Sequence, residues 1–411
     1  MDWQSLTDKL KRMGVQVGVE KPLTKAAGKH KDIRELLPGH EIQTIYGSLF
    51  SARYTYPLSY QHGNQSIVPN QSIEKIALWA KSDAPESTEL RNLIFLDTET
   101  TGLSGGTGTM AFMVGAARFV GDELVLEQFF VRNPAEETAM VAALAEFCSG
   151  MQGVVTYNGK SFDIPILNTR FILNGMRSPF VELPHFDLLH LTRKVWRARL
   201  EQCRLGDIEH QILGLERDAN EIPGYLVPEY YNQYLRDGNA EPLLGVFYHN
   251  EVDVVSLAAL FAYFCDLLGD PKAWQSSEIK DLTSVGRLIE AMGDSTLAEA
   301  IYDRGYETDS PKEHRLELLL RKAMLHKRNA QLDLAVKLWE EASELGSLEA
   351  LLELAKYHEH INKKPEIALE VCTRALTLSA MIEGENKQIL ISAWGHRMRR
   401  LTAKINHFSK A

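Results

Sequence analysis

Cysteine is scarce: Cys148, Cys203, Cys265 and Cys372 are the only four in 411 residues, far apart and without a CxxC pair. That spacing excludes a disulfide framework and a thiolate zinc site. Positive charge is not in excess either, with 45 Lys and Arg against 55 Asp and Glu and a net charge of −10. A protein that holds a polyanion by global attraction is basic. Any nucleic-acid partner of this chain must therefore meet a local basic patch or a bound metal. Long apolar runs are missing too. The N-terminal MDWQSLTDKLKRMG lacks the apolar core of a signal peptide. The longest run, Ser256 to Leu268, is interrupted by Asp266 and is too short to cross a bilayer. A reduced, cytoplasmic protein with no membrane role is expected.

What is present is an ordinary globular balance, 45% hydrophobic and 24% charged, in a chain long enough for two or three domains. Residues 1–40 form a polar arm in which Trp3, Leu6, Leu10 and Met13 stand at helical spacing. Residues 41–90 begin with alternating IQTIYGSLFSARYTYPLSY, a hairpin around Gly47, and end in a linker with Pro85; they are expected to pack on the next domain. Residues 91–270 read as α/β. Leu93 to Leu96 is a buried strand, and Met110 to Val120 and Leu124 to Val131 form a hairpin. A helix follows Pro134, then a buried strand at Val154 to Thr156, a Tyr157-Asn158-Gly159 turn and a helix from Ser161-Phe162-Asp163. A last helix spans Leu243 to Leu268. From 275 to 411 the chain reads as helix only. Ala335, Trp339 and Ala342 recur 33 residues later as Ala368, Cys372 and Ala375, with a looser copy at Tyr302 and Gly305. That period marks stacked helix pairs of the tetratricopeptide kind.

The stretch NLIFLDTETTGLSGGTG carries the first chemistry. Side chains alternate along a strand, so Asp97 and Glu99 share a face and Thr98 takes the other. Two carboxylates at the end of an apolar strand repel each other and resist burial, and a divalent cation removes both costs. An edge pair facing water is the other reading. Asp163, at a helix start, is either a cap or a third ligand. Asp253, inside the apolar helix YHNEVDVVSLAALFAYF, is costly unless it reaches a partner.

The three segments DTETTGL, YNGKSFDIPIL and HNEVDVVSL resemble the exonuclease motifs of the DEDD superfamily, the ribonuclease H-like 3′-end exonucleases. The glycine-rich DTETTGLSGGTGTMAFMVG and the later IPGYLVPEYYNQYLRDG resemble its YprB-like branch, which includes a bacterial mitomycin-repair exonuclease. The likeness covers about residues 40 to 268, and a helical-repeat tail is typical of that branch.

The resemblance implies a mixed five-stranded sheet flanked by helices, followed by an all-α tetratricopeptide-like domain. It implies that Asp97, Glu99, Asp163 and Asp253 hold two Mg2+ or Mn2+ ions about 3.5–4 Å apart, for in-line hydrolysis at DNA 3′ ends. RNA trimming is one alternative, and a helical-repeat interaction protein that uses the nuclease fold as a platform is another; a protein such as a helicase is the expected partner of the helical repeats. Superfamily members place His five, or Tyr four, residues before the last Asp; here Tyr248 and His249 stand in each other's places. On a helix, i to i+4 brings His249 onto the face of Asp253, which favours His249 as the residue that orients or deprotonates water. Candidate substrate contacts are Thr100, Gly102, Tyr157, Asn158, Phe162, Arg193, Lys194 and Arg197; each also has a plain packing or solvated-face reading. His185 and Asp187 are candidates for an outer shell.

Overall fold

The computed structural model describes residues 31–80, 88–102, 108–217, 222–270, 274, 278–307 and 311–408. The expected N-terminal helix, the linker around Pro85 and the glycine loop between Gly102 and Gly108 lie outside them.

A short helix α1 (Ile33–Leu36) leads into β1 (Gly39–Thr44) and β2 (Gly47–Pro57), then a two-residue hairpin, β3 (Gln61–His62) and β4 (Gln65–Ser66), and α2 (Glu74–Ala80). Next come β5 (Leu93–Thr100), β6 (Ala111–Val120), β7 (Glu123–Phe130), α3 (Glu137–Phe147), β8 (Gly153–Thr156), α4 (Asp163–Leu173), β9 (His185–Asp187) and α5 (Leu188–Trp196). The main sheet has the order β1-β2-β7-β6-β5-β8-β9. β8 and β9 run parallel to β5 and the other pairings are antiparallel. The five expected strands are the β7-to-β9 part. The hairpin at 41–61 does not merely pack on them; it extends the sheet to seven strands, with β2 paired to β7 from Phe50–Phe130 to Pro57–Glu123. That pairing satisfies the backbone groups that an edge at β7 would leave open.

After α5 come α6 (Leu205–Ile208), a π-helical turn (Glu209–Leu213), α7 (Val227–Asp237) and the long α8 (Leu244–Gly269). Two apolar layers cover the sheet. Leu93, Phe95, Phe119, Val155 and Phe186 pack with Val254, Leu257, Ala258 and Phe261 of α8. Ile94, Leu96, Val114 and Val154 pack with Met140 and Leu144 of α3 and Leu167 and Phe171 of α4. The period of two along β5 thus assigns Leu93, Phe95, Asp97 and Glu99 to the α8 face and Thr98 to the α4 face. By length and composition the helix over Glu241–Gly269 could cross a bilayer, longer than the Ser256–Leu268 run alone implied. Its most apolar window is 78% buried within the protein, which makes it the core helix of this fold.

The C-terminal region is all helix: α9 (Ile279–Ala291), α10 (Ser295–Glu307), α11 (Lys312–Arg328), α12 (Leu332–Glu344), α13 (Leu348–Lys356), α14 (Pro365–Met381) and α15 (Lys387–Phe408). Each packs against the next. The recurring small and aromatic residues are its contacts: Ala335, Trp339 and Ala342 in α12, and Ala368, Cys372 and Ala375 in α14, are all buried. Ala298, Tyr302 and Gly305 repeat the same spacing in α10, where Gly305 lets Leu318 approach to 3.0 Å from a would-be Cβ. The boundary expected near residue 270 does not interrupt the core. Trp196 and Phe264 belong to one cluster with Leu282, Val285, Ile289, Ile301, Leu318 and Leu325. A second cluster, around Trp339, begins beyond it. Trp339→Ala is therefore expected to cost about 3–5 kcal/mol locally. Hydrogen exchange should show α12 to α15 losing protection while the sheet amides keep theirs.

Candidate active site

β5 lies between an antiparallel neighbour, β6, and a parallel one, β8. Beyond the carboxyl end of a strand at such a switch point, the flanking loops diverge and leave a crevice. Asp97 and Glu99 project there, half-buried, from the α8 face of β5. A register shift between Glu99 and Thr100 ends regular pairing with β6 just after them.

Asp163 arrives from the opposite face, as the first residue of α4. Its carboxylate does not cap that helix. It accepts from the Thr98 hydroxyl, on the α4 face of the strand, at 2.5 Å. The turn before it is held rigidly. Asn158 takes a left-handed φ of 67°, a conformation that Asn tolerates better than most residues. The N–H groups of Asn158 and Lys160 donate to the two oxygens of Asp187, at 2.8 and 3.1 Å. Asp187 also caps α5 through the Leu189 N–H. Gly159 is required here, because a Cβ would lie 2.4 Å from Thr156 Oγ1.

Asp253 comes from α8. His249, one turn earlier, places Nε2 3.6 Å from Asp253 Oδ2. Tyr248 instead lies on the Tyr60 side, where burial, Glu251 and Tyr248 together raise the Tyr60 hydroxyl pKa. Between the two helix turns, Asn250 donates from Nδ2 to Asp97 Oδ2 at 3.0 Å. Gln128 of β7 orients that amide, donating to Asn250 Oδ1 at 3.0 Å and to the Phe247 carbonyl at 2.7 Å. Arg217 adds a cation: its guanidinium donates to Asp253 Oδ1 and, at 3.0 Å, to His249 Nδ1. An arginine can only donate, so Nδ1 accepts, and the proton of the neutral imidazole sits on Nε2.

Asp97 and Glu99 feel the carboxylates around them. Burial raises Asp97 well above the ordinary carboxylate range, and Asp253, Asp163 and Glu99 add their repulsion; Asn250 opposes. Glu99 is raised by burial and then by Asp253 and Asp163, with Arg217 opposing. Asp163 is pushed up to about 6 by burial, against the hydrogen bond from Thr98. This strain has a measurable consequence in metal-free protein. A carboxylate whose folded pKa is raised costs nothing below its ordinary pKa, and the full cost appears above the folded one. Asp163→Asn is expected to leave stability unchanged near pH 3.5 and to raise it by up to about 3 kcal/mol near pH 8. Urea unfolding in a chelating buffer at both pH values measures the difference.

The donor set is all-oxygen and anionic, which fits a hard divalent cation. Among the described residues, however, no three His, Cys, Asp or Glu side chains form a ready-made ion cage. Asp163 is turned to Thr98 and Asp253 to Arg217.

The structure separates the other candidates. Thr100 Oγ1 donates to the Gly102 carbonyl at 2.8 Å and closes the strand end. The Tyr157 hydroxyl donates to the Cys203 carbonyl at 2.7 Å, a structural bond. Phe162 is 48% exposed beside Asp163, as a stacking residue requires. Arg193, Lys194 and Arg197 are exposed on α5 and just after it. Arg199, of the same run, is occupied by Asp281 at 2.9 Å. His185 bonds to Thr156 Oγ1 at 2.7 Å. Gln128, Glu209, Arg217 and Asn250 were not singled out from the sequence, and Thr98 was placed only on the opposite face of its strand. Thr98 and Asn250 lie inside quoted motifs, but the other three carry no local signal.

A ribonuclease H-like sheet with acidic residues gathered beyond its central strand defines a domain of the nuclease type. Residues 94–265 match the family model of the RNase_H superfamily. The chain is also similar to the uncharacterized protein YprB of Bacillus subtilis (strain 168), 31% identical across 94% of this chain and 97% of that protein. The chain belongs to the YprB family.

Proposed function

We propose that the chain is a metal-dependent 3′–5′ exonuclease acting on DNA ends. The observation that carries this reading is the convergence of Asp97, Glu99, Asp163 and Asp253 beyond β5, with Asp97 and Glu99 raised by burial and by the neighbouring carboxylates and Asp163 raised by burial. Such a cluster favours a cation over water. These four residues would hold two Mg2+ or Mn2+ ions, which supply a Lewis acid and a hydroxide-like nucleophile at neutral pH. Thr98 and Asn250 aim Asp163 and Asp97. His249 presents Nε2–H towards the site and orients the attacking water or a phosphate oxygen; with Arg217 on Nδ1 the ring is a donor, not a base. Phe162 offers a face for the terminal base, and Arg193, Lys194 and Arg197 offer charge for the strand behind it. DNA repair is the setting implied by the resemblance to the mitomycin-repair exonuclease MrfB, in the cytoplasm and at the nucleoid.

Incubation of 5′-labelled DNA and a matched RNA strand with Mg2+ or Mn2+ tests this. A ladder of shortened DNA products is expected, faster than any from RNA. A faster RNA ladder would make the protein an RNA-trimming enzyme, because the carboxylates act on phosphate and not on the sugar.

The helical stack is assigned to a protein partner such as a helicase. It carries a cleft of about 320 Å³ floored by Leu332, Trp339 and Tyr357 and rimmed by Lys327, Arg397 and Arg400. A cut near residue 280 would strip the shared core, so the informative truncation ends at Ala330 and keeps the Leu282–Leu325 cover. That chain is expected to shorten naked DNA at the parental rate and to lose partner binding. Loss of cleavage by a folded truncation would place the tail on the substrate path instead.

A further inference from the structure

Arg217 is built into the site from the side away from the four carboxylates. Its side chain is 9% exposed and pairs with Glu209, itself 1% exposed. The contact is a fork: Nε to Oε2 at 2.5 Å and Nη2 to Oε1 at 2.7 Å. Glu209 also bonds to the Ser256 hydroxyl, which meets His62 Nε2 at 2.7 Å. The loop between them is clamped. The Asn64 N–H donates to the Leu213 carbonyl at 2.7 Å, and a Cβ at Gly63 would lie 2.2 Å from that same oxygen. The small β3–β4 hairpin, the π-helical turn and α8 thus fix one guanidinium in place. Its remaining donors point at Asp253 Oδ1 and His249 Nδ1. A buried Arg–Glu pair alone would be neutral. Here the same guanidinium also serves the fourth carboxylate, through Oδ1 of Asp253.

We propose that Arg217 is a resident cation of the acidic site, which shares Asp253 with the divalent ion and keeps that ion weakly held until a substrate phosphate arrives. This rests on the nuclease reading and adds its regulation. An ion at Asp253 binds against a fixed positive charge a few ångströms away, and at that range the repulsion is not screened by salt. A phosphate brings negative charge to the same place and offsets it. Cleavage chemistry is thereby tied to an occupied site, and Glu209 sets how much of the Arg217 charge the ion feels.

The test is Mn2+ binding to the full-length protein, by calorimetry and by the electron paramagnetic resonance of free Mn2+, with and without thymidine 5′-monophosphate. In the parent, one Mn2+ is expected to bind at least about tenfold more weakly than the other, and the monophosphate to tighten it by about tenfold. Arg217→Gln should bind that ion about tenfold more tightly without nucleotide, with the nucleotide effect reduced below about twofold. Glu209→Gln should move affinity the opposite way. The Glu209→Gln, Arg217→Gln double variant also removes the buried glutamate that Arg217→Gln alone would leave without its partner, and serves if the single one fails to fold; it too should lose the nucleotide effect. A folded Arg217→Gln or double variant that keeps the parental nucleotide effect overturns the proposal. If neither Asp97→Asn nor Asp253→Asn weakens Mn2+ binding, the metal-site reading itself fails, whatever Arg217 does.

Discussion

Asp97→Asn is expected to lower the rate of metal-dependent DNA shortening at least about a thousandfold, or about 4 kcal/mol of transition-state stabilisation. The same substitution is expected to raise the melting temperature of the metal-free protein. Both effects follow from one cause. Asp97 stands among Asp253, Asp163 and Glu99 with its charged form disfavoured by burial and repulsion. Removing its charge relieves Glu99 and Asp163, and Asn250 can still donate to the remaining carbonyl oxygen. Once Mn2+ is added the order should invert, with the parent gaining stability from the ion and the variant gaining little. Paired melting curves with chelator and with Mn2+, beside a cleavage assay on a 5′-labelled strand, give all three numbers. A variant that cuts as fast as the parent would remove Asp97 from the chemistry. One that melts lower without metal would show that the carboxylates are not strained.

Gly115→Ala is the second large effect, at a residue that touches no substrate. Gly115 pairs with Asp97 across β5 and β6. A Cβ there would lie 2.1 Å from Oδ1 of Asn250 and under 3.0 Å from its other two amide atoms. Asn250 is completely buried and held on both sides, by Gln128 and by Asp97, so its short side chain cannot swing away cheaply. Overpacking of this kind costs about 1–3 kcal/mol, and a displacement of Asp97 near 1 Å costs about a hundredfold in rate. The double variant Gly115→Ala, Asn250→Ala should recover much of the stability but not the rate, because space returns while the Asn250–Asp97 bond does not. Gly121→Ala is the control. It strains a turn at φ +58° yet meets nothing within 4 Å, so its rate should match the parent.

The reach of the sequence is clearest at particular residues. Alternation along LIFLDTET was enough to put Asp97 and Glu99 on one face, and the strand in the structure keeps that parity. The i to i+4 step was enough to set His249 beside Asp253. Both are local rules, fixed by the geometry of a strand or a helix whatever the rest of the chain does. The hairpin around Gly47 was legible as a hairpin, but not as a sheet extension, since the pairing of β2 with β7 joins residues some seventy apart. The all-helical C-terminal region was legible, and Ala335, Trp339 and Ala342 are buried as their spacing implied. The core that α9 to α11 share with the sheet was not, because the packing of Trp196 and Phe264 on Leu282 and Val285 has no period to betray it.

The site divides in the same way. The sequence by itself determined which side chains the proposed chemistry draws on: four carboxylates and one histidine, each in a recognisable local setting. Only the tertiary structure decided what holds them. Thr98 takes Asp163 because α4 and α8 lie on opposite faces of β5. Gln128 and Asn250 aim Asp97 because α8 crosses the sheet above Gly115. Arg217 reaches Asp253 because a buried glutamate and a clamped loop direct it there. Chemical identity is written residue by residue. The orientation and charge balance of a cluster arise from partners distant in sequence, and folding alone brings those together.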